Sequence, residues 1–473
     1  LAAACVAGAA CAASAAEPSA KDIDAAVLVD FPAHPHSGFS LSIVHGGRTV
    51  YVKGYGYRDY GTPDSFIAND TNFYNIPFAR VAAARANADG RTIYAIGSVT
   101  KQFTAAAILM LSEQHRVDLD APVSRYAPEF SDPKLTVRTL LNQRSGIPDF
   151  NTLAFFGRVR PLARHPDGSL DALRVSREIA ALPRDFPAGT KFAYSNSNYF
   201  VLGSIVERVT HAPLAEYLAA HVFRPLGMTR TALGGYAATD DVAVGYRVDQ
   251  AGAVKRAYPW ELAWLGGAGG MTSTVEDLAR WNAALIGHRV IAPASLGEMF
   301  AGIDAGMGQG AYAMGWIGDA LGTHRYYWHN GEVGGFHALN VVFPDDELAF
   351  TLLSNNQDAR LEYFVPSVAA LYFPVGGIER ILPHSGVVLV EASTAIGLGA
   401  LAIALVALFT FRRLVLLGIG AAALALVAGF FLPIVLGFVG AGIAALVPVA
   451  VYVAVVRLVP PNVVPAKGAR TRP

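Results

Sequence analysis

Cysteine is nearly absent from this chain of 473 residues: there are two, Cys5 and Cys11, both in the first dozen positions. With that segment removed, the remainder has no disulfide and no thiolate ligand. No His-Glu-x-x-His occurs, which argues against a zincin site, and no Gly-x-Ser-x-Gly occurs, which removes the signature of an α/β-hydrolase lipase. An excess of either charge is also missing, since 37 basic side chains face 37 acidic ones. Without a basic surplus to neutralise phosphates, nucleic acid is not expected as a partner. Charge itself is scarce, at 16% of residues against 53% hydrophobic, and that balance points to membrane segments beside one large domain. Nothing in the pattern calls for a metal or a cofactor.

The apolar residues are concentrated at the two ends. Residues 1–16 are almost wholly Ala, Val, Gly, Cys and Leu, and polarity begins at Glu17. This reads as part of a secretory signal, with Ala13-Ser14-Ala15 as the cleavage site. Leu1-Ala-Ala-Ala-Cys5 leaves a lipoprotein-type site open as an alternative. At the other end, a linker over 374–391 leads to Ala392–Phe411, an apolar span long enough to cross a bilayer. Arg412 and Arg413 interrupt it, and Leu414–Val456 then runs without a charge, long enough for two crossings broken near Pro433 and Gly437. Three transmembrane helices are thus expected over 392–456, with a basic tail over 457–473. The positive-inside rule puts Arg412, Arg413 and the tail in the cytoplasm. The globular part then lies outside, where a secretory signal would deliver it.

Between these ends, strand signals flank helical ones. Phe39–Val44 and Thr49–Tyr57 read as a hairpin across His45-Gly-Gly-Arg48. Tyr326–His329, His337–Phe343 and Leu348–Leu353 read as later strands, the last two joined by Pro344-Asp-Asp-Glu347. Helices are expected over 21–29, from Ser98 through Leu111, from Thr136, over 171–182, over 197–209, over 213–222, through Leu285 and over 361–373. Residues 64–91 read as a long loop, and Gly266-Gly-Ala-Gly-Gly270 as flexible. Strands at both ends with helices between imply an α+β domain with one shared antiparallel sheet.

Three short stretches carry candidate chemistry. In Ile96-Gly-Ser98-Val-Thr-Lys101, a strand turns into a helix that is apolar nearly all round. Ser98 and Lys101 share one helix face, and a buried Lys is costly unless its charge is used or lost. A neutral Lys101 could take the Ser98 proton; equally, Ser98 could cap the helix while Lys101 reaches solvent. Ser131-Asp-Pro-Lys134 has the same spacing but lies in a polar turn. Tyr194-Ser-Asn196 precedes another buried helix, and offers a hydroxyl to relay a proton and an amide to hold a carbonyl. His329-Asn-Gly331 lies at the end of a strand leading into the C-terminal hairpin, unlike the other His-x-Gly matches at His36, His45 and His384. Glycine there lets a substrate lie against backbone amides.

Taken together and in this order, these stretches resemble the penicillin-recognising serine hydrolases. The likeness is to class C β-lactamases, DD-peptidases, D-aminopeptidases and related esterases, and it extends over residues 22–373. Leu140-Leu-Asn-Gln-Arg-Ser-Gly-Ile-Pro-Asp149, Pro225-Leu-Gly-Met228 and Gly269-Gly-Met-Thr-Ser-Thr274 strengthen it. The resemblance implies a β-lactamase/transpeptidase-like antiparallel sheet flanked by helices, with a helical domain. It also implies an acyl-enzyme formed at Ser98, with Lys101 and Tyr194 sharing the proton transfers. The backbone amides of Ser98 and Glu332 would hold the oxyanion. Asn196 would orient the substrate, and His329 and Gly331 would shape the site, His329 meeting a substrate carboxylate. The expected substrates are small peptides, β-lactam-like compounds or esters. Two features depart from the pattern: His329 replaces a permanently charged Lys, so its charge depends on pH, and residues 72–92 lengthen the connection before the nucleophile. The competing reading is a catalytically silent membrane receptor or scaffold on the same fold.

Overall fold

The structure is a computed structural model that describes residues 17–30, 38–60, 86–236, 241–248, 254–257, 260–304 and 310–374. The expected signal segment, most of the long loop before the nucleophile, the linker and the three expected crossings lie outside the described residues. Among the described residues no helix is long and apolar enough to cross a membrane. The chain separates into two compact units, Leu1–Pro383 and His384–Pro473, and the second lies wholly outside the described residues.

Eight strands make one antiparallel sheet. They are β1 (Phe39–His45), β2 (Arg48–Tyr55), β3 (Ile303–Asp304), β4 (Ala311–Ala313), β5 (Trp316–Leu321), β6 (His324–Val333), β7 (Phe336–Phe343) and β8 (Leu348–Ser354), in the spatial order β3-β4-β5-β6-β7-β8-β1-β2. The N-terminal hairpin closes onto the C-terminal strands, with Phe39 opposite Ser354 and His45 opposite Leu348. That pairing is the shared sheet expected from strands at both ends of the sequence. β7 and β8 are buried along their whole length, because helices cover both faces. On one face lie α1 (Ala20–Asp30) and a short closing helix, α5 (Phe364–Ala369); the other carries α2 (Thr100–Glu113), α3 (Asn196–Thr210) and α4 (Val275–Ile286).

α2 is central on that second face. Ala105, Ala106, Ala107, Ile108 and Leu109 favour helix, and every residue from Thr100 to Leu109 is buried. The helix therefore packs on all sides, as a sequence apolar nearly all round requires. It holds the start of the nucleophile segment rigid.

Four expectations are corrected. The segment over 303–321, for which no strand was expected, supplies β3, β4 and β5. β6 continues four residues beyond His329, so the third motif lies inside a strand and not at its end. The helix expected over 213–222 is α-helical only over Leu214–Leu218 and widens to a π turn over Ala219–Phe223. Gly266–Gly269 is a helical turn, and Gly267, Ala268 and Gly269 are buried. Glycines are needed there for close packing against Tyr199 and Leu214, not for mobility.

Candidate active site

Ser98 stands in a tight 3₁₀ turn, Gly97–Val99, immediately before α2. It makes no cap for the helix: the N-cap position is Val99, with no side-chain bond. The Ser98 hydroxyl instead meets two functional groups, Lys101 Nζ at 2.9 Å and Tyr194 Oη at 2.7 Å. The helix-capping reading of Ser98 is thereby excluded by geometry.

Lys101 is fully buried. Besides Ser98, its Nζ contacts Asn196 Oδ1 at 2.8 Å and the Ala268 carbonyl at 2.6 Å. Both of those oxygens can only accept. Burial pushes the Lys101 pKa down to about 7, against a smaller upward pull from the Asp149 carboxylate. A neutral amine has two N–H bonds, and both are taken by Asn196 and Ala268. Its lone pair then faces Ser98 Oγ, which is the arrangement of a base ready to accept the serine proton. The turn read as flexible in the sequence supplies one of the two acceptors that aim this lone pair.

Tyr194 is 38% exposed and forms the open side of the site. Loss of solvation around its ring, with Tyr312 and Asp149 nearby, raises its pKa well above the ordinary tyrosine value, and the Ser98 hydrogen bond only partly offsets this. Tyr194 is therefore a phenol that donates to Ser98, not a phenolate. This geometry suits Lys101 to accept a proton from Ser98 and Tyr194 to donate one.

Asn196 is the first residue of α3, and its role differs from the expectation. Its Oδ1 receives Lys101, while its Nδ2 donates to Asp149 Oδ2 at 2.9 Å and its backbone N–H to the same oxygen at 3.2 Å. The amide is first of all a bridge from Asp149 to Lys101, leaving one Nδ2 proton for a substrate carbonyl. Asp149 ends a stretch that is noticeable in the sequence, yet nothing there ties it to a position 47 residues later. Gln143, also missed, fixes the second motif from below by accepting from the Ser195 N–H at 3.0 Å.

The third motif approaches from β6. Gly331 lies so near the nucleophile turn that a Cβ there would collide with the Ile96 carbonyl oxygen and stand 2.7 Å from the Ser98 nitrogen. Conversely, a Cβ on Gly97, whose φ is +49°, would stand 2.7 Å from the Glu332 nitrogen. Two glycines thus bring the Ser98 and Glu332 amides together beside the nucleophile, as an oxyanion hole requires.

His329 contradicts the expectation of a pH-dependent charge that meets a carboxylate. It is 2% exposed, and its Nδ1 lies 2.6 Å from the Asn330 carbonyl, which can only accept, so Nδ1 carries the proton. Its Nε2 faces the Tyr312 hydroxyl at 3.4 Å, a long contact in which the tyrosine donates. Burial, together with the nearby Lys101, pushes the His329 pKa down to about 3. The ring is neutral through the physiological range and has no N–H left for an anion. Tyr312, on β4, was not foreseen because no strand was expected there; its ring lies edge-on to Tyr194 and His329 at 6.1 and 5.9 Å. The second Ser-x-x-Lys match plays no part: Ser131 and Lys134 are exposed.

An antiparallel sheet covered by helices on both faces, with the Ser-x-x-Lys pair at the start of a buried helix and a Tyr-x-Asn loop and a His-x-Gly strand beside it, defines the penicillin-binding-protein-like serine hydrolase fold. The chain belongs to the β-lactamase family: the family profile described as Beta-lactamase matches residues 25–364. Among similar proteins are Protein flp of Staphylococcus aureus (strain MW2), 26% identical over 71% of this chain and 63% of its own length, and PbpX of Bacillus subtilis (strain 168), 29% identical over 68% and 72%. The chain therefore spans under two thirds of flp. Similar solved structures include the octameric penicillin-binding protein homologue from Pyrococcus abyssi, with a TM-score of 0.63 and 25% identity over 80% of this chain and 82% of that one. The D-amino acid amidase from Ochrobactrum anthropi SV3 has the same fold, with a TM-score of 0.57 and 23% identity over 76% and 96%.

Proposed function

We propose that this protein is a serine hydrolase that is acylated at Ser98 and cleaves amide or ester bonds, with peptides and amides of D-amino acids as the favoured substrates. The observation that carries this is the buried Lys101 amine, held by Asn196 Oδ1 and the Ala268 carbonyl 2.9 Å from Ser98 Oγ, so that in its neutral form the lone pair faces that oxygen. Lys101 takes the Ser98 proton as Oγ attacks the substrate carbonyl. The amides of Ser98 and Glu332 receive the oxyanion, and Tyr194 gives its proton to the departing amine or alcohol. Water then releases the acyl group by the reverse proton path.

A neutral, enclosed His329 offers no cation to a substrate carboxylate, which favours an amidase or peptidase over a dedicated β-lactamase. The name of the amidase of the same fold supports the same substrate class. Labelling by a fluorophosphonate or fluorescent penicillin is expected with the native chain and lost in Ser98→Ala. No labelling by either probe would instead make the protein a silent scaffold. In a panel of D-peptides, D-amino-acid amides, nitrocefin and short esters, turnover of esters alone would remove the peptidase assignment.

The apolar C-terminal sequence and its flanking arginines support a site held outside the cytoplasm on a membrane anchor. Protease added to intact spheroplasts is expected to degrade the hydrolase domain and spare the basic tail; a protected domain would refute this topology.

A further inference from the structure

Behind the third motif, on the sheet face turned away from Ser98, lies a polar group that the reaction does not use. Side chains alternate along β6, so His329 and Gly331 face the nucleophile turn while Asn330 and Glu332 face the α5 side. There, Asn330 Nδ2 donates to Glu362 Oε1 at 3.0 Å, and His337 Nε2 lies 3.1 Å from the same oxygen. His337 stands on β7 directly opposite Glu332 and is 4% exposed. Burial alone would keep His337 neutral, but the Glu362 hydrogen bond and the charges of Glu362 and Glu332 raise its pKa above the usual value. Burial likewise disfavours the Glu362 charge, yet His337 and Asn330 hold its pKa below the ordinary carboxylate value. His337 and Glu362 are a hydrogen-bonded pair in which each favours the other's charge, with one extra donor drawn from the middle of the His-x-Gly motif.

Asn330 is the link between the two faces. Its carbonyl receives His329 Nδ1 in front, and its side-chain amide is tied to Glu362 behind. The Glu332 amide follows two residues later, close against Gly97. We propose that Glu362, oriented by His337, is a positioning residue that holds Asn330–Glu332 from behind, keeping the Glu332 amide at the distance from Ser98 that an oxyanion needs. Glu362 touches no reacting atom. Its effect runs through one side-chain amide into the strand that carries the donor, and a shift of about 1 Å in such a donor can lower a rate about 100-fold.

The catalytic part of this inference rests on the hydrolase reading above, so the test has one arm that needs no activity. Full-length protein carrying Glu362→Ala, Asn330→Leu or both is compared with the native chain and with Glu362→Gln, whose side-chain oxygen still accepts from Asn330. Hydrogen–deuterium exchange is expected to quicken in peptides covering Tyr327–Val333 and stay unchanged in β8. Acylation of Ser98 by a fluorophosphonate is expected to slow about 10- to 100-fold in each single variant and no further in the double variant, while Glu362→Gln stays within about threefold of native. Native exchange in β6, or quickening spread equally through β8, would overturn the proposal. So would native acylation rates in Glu362→Ala and Asn330→Leu, or losses that multiply in the double variant. An inert native chain would refute the hydrolase reading, whereas the exchange arm would still decide whether Glu362 holds the strand.

Discussion

Replacing Lys101 with methionine is expected to lower kcat/KM by about 10²- to 10⁴-fold, the usual contribution of a general base, without unfolding the protein. Methionine nearly matches the lysine stem in volume and removes an amine that is fully buried. The same reasoning gives the pH dependence of the native chain. Lys101 acts only when neutral, and burial places its pKa at about 7. kcat/KM should therefore fall about tenfold per pH unit below 7 and level off above it. Asp149 pulls that pKa upward, so Asp149→Asn should move the rising limb to lower pH. Stability follows the same group with a definite sign. The folded state binds fewer protons at Lys101 than the unfolded state between about pH 7 and 10.5, so this contribution to stability rises with pH across that window and is absent below it. Lys101→Met should remove that slope from thermal melts. A variant that kept native kcat/KM would show that Lys101 is not the base, and a flat native pH–rate profile from 5 to 8 would show that its pKa is not near 7.

The second large effect is expected at Gly331. A methyl group there meets only backbone: the Ile96 carbonyl oxygen, the Ser98 nitrogen and the Gly97 carbon. None of these can rotate away, so Gly331→Ala must push β6 from the nucleophile turn or distort the turn itself. Overpacking of this kind typically costs about 1–3 kcal/mol. The displaced oxyanion donors should cost a further factor of about 10²–10³ in kcat. Gly157→Ala is the control, because nothing beyond its chain neighbours and its own helix backbone lies within 4 Å of a Cβ on that helical glycine. It should leave activity unchanged and raise stability by up to about 1 kcal/mol. Active-site titration and thermal melts of the two variants separate the effects. Equal acylation rates in Gly331→Ala and the native chain would mean that the β6 amide is no part of the oxyanion hole.

Much of this site is legible in the sequence because its parts are local. Ser98 and Lys101 are three residues apart on a segment whose all-round apolarity already announces burial, so their conflict with solvent can be read directly. Tyr194 is visible as a polar residue just before a strong helix signal, and His329 as one on a strand signal. The expected shared sheet is legible for a similar reason: runs such as Leu348–Leu353 have little choice but to be covered on both faces. The strands of 303–321 are less legible: β3 and β4, of two and three residues, are too short to carry a period, and each strand is fixed by the next one toward β6.

The roles themselves needed the fold. The resemblance implies that His329 stands where β-lactamases carry a lysine, but whether the ring is charged depends on which groups surround it. Here burial and the neighbouring Lys101 act against protonation and outweigh the Asn330 carbonyl, which favours it. The Asn196 amide bridges Asp149 and Lys101, two contacts that the Tyr194-Ser-Asn196 stretch does not announce. The sequence by itself determined that Ser98 and Lys101 would share one face at the start of a buried helix, because spacing and apolarity are properties of a single segment. Only the tertiary structure decided which oxygens hold the lysine amine and so which way it faces. Those depend on acceptors that are 95 and 167 residues distant along the chain, Asn196 and Ala268, and no local pattern records them.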